Sequence, residues 1–90
     1  MERLPLDRVP VVVTASVCGA YSVRLEFDDG VRKQVNLRRF LWGPVFLPLL
    51  DPLEFARVRV DPEAGTIVWP NGADFAPETL YLLPDERGAA

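Results

Sequence analysis

The sequence predicts an α+β domain: a small antiparallel sheet of about five strands in two hairpin groups, with short covering helices. Three observations predict it. Tyr21, Val23, Leu25 and Phe27 alternate strictly with Ser22, Arg24 and Glu26, the period of a strand with one face on a core and one in water. Two turn clusters, Asp28-Asp29-Gly30 and Asp61-Pro62-Glu63-Ala64-Gly65, each separate two such runs, as hairpin turns do. Nine prolines in 90 residues stop elements early and exclude long helices.

The first strand is expected from about Val11 to Val17, where Val11–Val13 and Val17 are β-branched and favour a pleated surface. Gly19-Ala20 permits the turn into the second, Tyr21–Phe27. Asp-Gly tolerates the positive φ of a tight hairpin, and the third strand follows over Val31–Leu37. Lys33 falls in phase with Val31, Val35 and Leu37, so it sits at an edge or lays its stem along the core. Periodicity breaks at Arg38-Arg39-Phe40-Leu41-Trp42, and Gly43-Pro44 ends the turn formed there. Phe46-Leu47-Pro48-Leu49-Leu50 is apolar on consecutive positions, which suits an irregular segment or short helix over the sheet. Asp51-Pro52-Leu53-Glu54 reads as a helix start, with Asp51 as N-cap, Pro52 first in the helix and Glu54 three residues past the cap. Arg57–Val60 returns to period two, and Thr66–Trp69 completes the second hairpin with Ile67 and Trp69 on one face. Asp74 is expected to cap a last short helix, Ala76–Tyr81, which carries Pro77 in its first turn. Residues 1–83 form a single domain on this reading, with Met1–Leu6 a loose arm and 84–90 a flexible C-terminal tail.

Composition narrows the functional classes. A chain of this size buries somewhat more than about 60% of the surface it exposes when unfolded, enough for one core. The net charge of −3 counts against a general nucleic-acid binder, whose affinity comes from neutralised phosphates. Cys18 is the only cysteine and histidine is absent. Disulfides, cysteine-based zinc and the usual imidazole base are therefore missing, and no residue set suggests catalysis, a metal or a cofactor. The chain reads as cytoplasmic and non-enzymatic. Residues 9–20 resemble a cleavable signal only faintly, because Met1–Arg8 balances acids with bases, Pro10 interrupts the apolar run and bulky Val17 precedes Cys18. The run Phe40–Leu50, broken by Gly43, Pro44 and Pro48, is far shorter than the roughly 20 residues of a spanning helix, so no membrane segment is expected.

Arg32, Lys33, Arg38 and Arg39, followed by Phe40 and Trp42, combine cations with aromatics as nucleic-acid grooves do. Strand alternation splits Arg32 from Lys33, so a solvated edge with Phe40 and Trp42 buried is the simpler expectation. From Asp61 onward, Asp61, Glu63, Asp74, Glu78, Asp85 and Glu86 face Arg87 alone. Such polarity suits a basic partner, or pairing within or between subunits. Asp74 and Glu78 lie four apart and could share a helical face, where capping and helix-end charge account for them. Trp69 reads first as core and otherwise as an interface anchor. Asn71-Gly72 is first a turn, with Asn71 as a recognition residue second, and Cys18 reads as inert packing.

The ordered set Leu25-Glu26-Phe27-Asp28-Asp29-Gly30, Val35-Asn36-Leu37, Phe46-Leu47-Pro48-Leu49 and Glu54-Phe55 is followed by Gly65-Thr66-Ile67-Val68-Trp69-Pro70-Asn71-Gly72-Ala73-Asp74-Phe75 and Pro77-Glu78-Thr79-Leu80-Tyr81. Together these segments resemble a small bacterial family known as domain of unknown function twenty-four forty-two. The resemblance covers almost the whole chain, and its C-terminal motif is the specific part. It implies a compact intracellular α+β domain without assigned activity or cofactor. Some members are followed by a helix-turn-helix, absent here, and others stand beside a second small protein in pairs that look like toxin–antitoxin modules. Asn36 departs from the family, which often has an acid there.

The expected function is a non-enzymatic protein-interaction domain, in its most specific form the partner or antitoxin-like half of a two-gene module. A nucleic-acid-binding regulator acting through Arg32–Arg39 is the alternative. The candidate interaction surface comprises Asn71, Asp74 and Glu78 beside the C-terminal motif, with Trp69, Arg32, Lys33, Arg38 and Arg39. Exposed edge strands in so small a sheet also invite a homodimer.

Overall fold

The computed structural model describes residues 9–87; the expected loose arm Met1–Leu6 and residues 88–90 of the expected tail lie outside them. Strands β1 (Val12–Gly19), β2 (Ser22–Phe27) and β3 (Arg32–Asn36) form an antiparallel sheet in that order, and β4 (Arg59–Asp61) pairs with β5 (Thr66–Val68) in a second. The α+β class and the two hairpin groups are as expected, but the strands are divided between two sheets. The hairpins meet instead through a bond from the Val12 amide to the Gly65 carbonyl at 2.9 Å. Gly65 has φ +68° and is buried, and a Cβ there would lie 3.5 Å from the Val11 side chain. A glycine provides that left-handed conformation without steric cost.

Register turns the period-two pattern into a core. Val17 faces Val23, Ala15 faces Leu25, and Val23 faces Val35. Val12, Val23, Leu25, Phe27 and Val35 bury one sheet face against Leu49, Phe55, Ile67, Trp69 and Leu80. The first hairpin turns one residue later than its glycine suggests, at Ala20-Tyr21, and Tyr21 takes φ 62°. A non-glycine residue there costs on the order of 1 kcal/mol. Packing offsets it: the Tyr21 ring meets Phe55 edge-on at 5.5 Å and its hydroxyl donates to the Leu50 carbonyl.

The 3-10 turns Arg38–Phe40 and Leu47–Leu50 and helices α1 (Gly43–Phe46), α2 (Pro52–Phe55) and α3 (Pro77–Leu82) make up the helical covering. Asp51 caps α2 as expected, its Oδ1 accepting the Leu53 amide at 3.0 Å. Asp51→Ala is expected to cost about 0.5–2 kcal/mol, read as a lower urea midpoint with an unchanged slope. Asp74 does not cap α3. The N-cap residue is Ala76, without a side-chain hydrogen bond, because the backbone bridged from Asp74 to Val68 stays extended as far as Ala76. Instead α3 is held by Tyr81, whose ring meets Phe27 edge-on at 4.9 Å and whose hydroxyl donates to Asp29 Oδ2 at 2.6 Å.

From Pro84 to Arg87, where a tail was expected to begin, the chain bonds to β3. Lys33 Nζ donates to the carbonyls of Tyr81 and Leu83, the latter at 2.7 Å, so the lysine closes the C-terminal end of α3. Burial draws the Lys33 ammonium below its ordinary value, opposed by Asp85. The Gln34 amide donates to Asp85 Oδ1 at 3.2 Å and the Glu86 amide to the Gln34 carbonyl at 2.8 Å. These bonds occupy Gln34 on the edge of the sheet, where unpaired backbone groups otherwise invite another strand.

Ser22 Oγ and Gln34 Nε2 each donate to Glu86 Oε2 at 2.6 Å. Those two bonds, Ser22 first, hold the Glu86 carboxyl below its ordinary 4.5. Hydrogen bonds from Arg87 hold Asp85 well below the usual carboxylate range. Both folded values lie under the unfolded ones. The resulting stabilisation is therefore whole above about pH 4.5 and fades as pH falls through the folded values. Acid is expected to loosen this segment from β3, seen as faster exchange of the Glu86 amide relative to core amides. Ser22→Ala should raise the Glu86 midpoint in an NMR titration toward 4.5; an unmoved midpoint contradicts the bond.

Candidate interaction surface

The surface most suited to a contact begins where the sequence periodicity breaks. Leu37 and Leu41 are both buried, so the 3-10 turn between them carries Arg38 and Arg39 outward. Trp42 follows a side chain already committed to the core. Its backbone is extended, Gly43 takes φ +87°, and Pro44 opens α1. A side chain at Gly43 would strain that conformation, so the glycine sets the reversal that leaves Trp42 outside. Trp42 is 73% exposed, which overturns the expectation that it is buried. Phe40 is half-buried, edge-on to Phe75 at 5.9 Å, and Phe46 meets the same ring at 5.1 Å.

These residues form a groove. Phe40, Trp42, Pro44, Val45 and Phe46 line it with Asp74, Phe75 and Ala76 around about 510 Å³, within the ~300–1,000 Å³ of pockets that take ligands. Val45 is exposed too, so the lining is apolar and open to water. Asn71 ties the two segments together. Its Nδ2 donates to the Val45 carbonyl at 2.9 Å and its Oδ1 accepts the Ala73 amide at 3.1 Å. Asn71 is therefore spent on building the wall.

Among the described residues, Asp74 is the only charged one lining the groove. It is exposed, and its carboxylate has no partner among the described residues. Glu78 is half-buried in the first turn of α3 and does not line the groove. Trp69 is 2% exposed, with Nε1 donating to the Phe55 carbonyl at 2.9 Å and its ring against Phe55 and Phe75. A side chain so enclosed cannot anchor a partner directly; it supports Phe75 from the core side.

The basic cluster does not converge. Arg32, itself exposed, reaches the half-buried Glu26 at 3.7 Å, a pair worth little at a surface. Lys33 is bound to the end of α3. Arg38 lies over the Tyr21 ring at 5.7 Å and Arg39 over the Phe40 ring at 4.9 Å. Arg38 and Arg39 alone of the four are exposed without a carboxylate or carbonyl partner among the described residues.

Sequence reasoning named Trp42 only beside the basic cluster, with burial as the simpler expectation, and missed Pro44, Val45 and Phe46 as a surface. Their signal was the run of apolar residues on consecutive positions, which neither a strand nor one helical turn can bury on one face. Among the described residues no His, Cys, Asp and Glu side chains gather in a group able to hold a metal ion. No helix there is long and apolar enough to cross a membrane.

Residues 12–83 match one protein family, described as protein of unknown function (DUF2442). No curated protein and no solved structure matches.

Proposed function

We propose, from the premise that this chain belongs to the DUF2442 family, that it is a non-enzymatic protein-interaction domain whose groove at Trp42 receives a partner. The observation that carries this reading is Trp42 itself, a tryptophan 73% exposed beside an open apolar groove. Tryptophan is the residue type most enriched among those that dominate interface energy, and leaving its ring in water forgoes the burial available in the core. The partner or antitoxin-like half of a two-gene module is the most specific form of this proposal, and the cytoplasm is the proposed setting.

Affinity capture of tagged protein from its native cells, with Trp42→Ala alongside, tests it by mass spectrometry. A protein retained by the natural sequence and lost from the variant is expected; recovery of nothing above background would sink the reading. A nucleic-acid regulator remains the competing proposal, and its support is thinner because Arg32 and Lys33 are engaged within the domain. It requires retardation of DNA or RNA at low salt that weakens steeply as salt rises.

A further inference from the structure

We infer that the groove takes a protein segment in which a large apolar side chain is joined to a lysine or arginine. The inference rests on the groove being the interaction site and goes further by stating the chemistry of what enters it.

Apart from Asp74, every described residue that lines the groove is apolar, Phe40, Trp42, Val45, Phe46 and Phe75 among them. Aromatic and aliphatic walls of this kind reward an apolar occupant through burial, without selecting its orientation. Selection falls to the one charge. Asp74 is fixed in place by its bridge to Val68, is exposed, and has no partner for its carboxylate among the described residues. The neighbouring backbone is fixed as well, because Asn71 joins Ala73 to the Val45 carbonyl. An unspent anion on a rigid rim calls for a cation.

The exposed indole makes the same demand. Tryptophan offers the best ring face for a lysine or arginine, and the attraction grows when water is excluded. An acidic segment would meet Asp74 as a like charge, and a purely apolar one would cover the carboxylate and deprive it of water without replacing the lost hydrogen bonds.

Panning a phage-displayed library of random short peptides on the full chain tests the inference, with Trp42→Ala and Asp74→Asn as comparisons. Selected sequences are expected to pair an aromatic or large aliphatic residue with a nearby lysine or arginine, and to lose binding on Trp42→Ala. For one selected peptide, Asp74→Asn should weaken affinity about two- to fivefold at low salt, with the difference shrinking as salt rises. Selected peptides that are apolar without a basic preference, or equally tight on Asp74→Asn, overturn this inference and leave the interaction reading standing. Failure to enrich any peptide that depends on Trp42 overturns both.

Discussion

Trp69→Ala is expected to remove about 3–5 kcal/mol of stability, the cost of emptying a buried aromatic site. A domain of this length has a total on the order of 5–13 kcal/mol at about 0.05–0.15 kcal/mol per residue. The substitution therefore takes a large share of what holds the chain folded. Three losses coincide: the indole leaves a cavity between Phe55 and Phe75, the Phe55 carbonyl loses its donor at 2.9 Å, and Phe75 loses support beneath the groove. Trp69→Phe separates them, since it keeps much of the ring and loses the donor, and it should cost nearer 1–2 kcal/mol. Urea unfolding followed by circular dichroism measures both. A Trp69→Ala midpoint equal to that of the natural sequence contradicts the burial of this side chain. Fluorescence supplies an independent reading, because Trp69→Phe leaves only Trp42, and native emission should shift to the red, as a water-exposed indole requires.

The two tryptophans mark how far the sequence could be read. Trp69 was legible as core because it follows Ile67 by two in a strand, and period two assigns both to one face. The same rule placed Val23, Leu25 and Phe27 inside, and turn and cap chemistry located the β2–β3 and β4–β5 turns and the start of α2. Trp42 was not legible. It stands outside any period, and its exposure follows from Leu41 pointing inward and Gly43 turning the chain, which are tertiary facts. Asp74 failed for a related reason: as a short polar residue before a helix it matches a cap, but the bridge to Val68 outweighs that local preference. Trp69 was a candidate as a large aromatic, Arg32 and Lys33 as members of a basic cluster followed by aromatics, and Asn71 as a turn residue beside the C-terminal motif. In the folded chain Trp69 packs in the core, Lys33 and Asn71 satisfy backbone groups, and Arg32 reaches Glu26. Asp85 and Glu86 lay in a stretch with no hydrophobic signal, and their attachment to β3 uses polar bonds that no periodicity announces.

Trp42→Ala should show the opposite pattern to Trp69→Ala. With 73% of the residue in water, its removal leaves almost no cavity, and the unfolding free energy from urea titration should change by no more than about 0.5 kcal/mol, as for surface substitutions elsewhere. Binding should fall sharply. An exposed tryptophan that becomes enclosed by a partner belongs to the class whose truncation costs about 2 kcal/mol or more, which is roughly 30-fold in affinity at about 1.4 kcal/mol per tenfold. Titration calorimetry against the captured partner measures that ratio. Because the two substitutions divide stability from binding, each checks the other. A Trp42→Ala variant that binds as the natural sequence does removes the groove as the contact, and one that unfolds early removes the exposure on which the contact was argued. Val45→Ala, on the same wall, should weaken binding less, since valine is under-represented among the residues that carry interface energy. If loss at Val45 equals loss at Trp42, the groove is being reshaped rather than emptied of a specific contact.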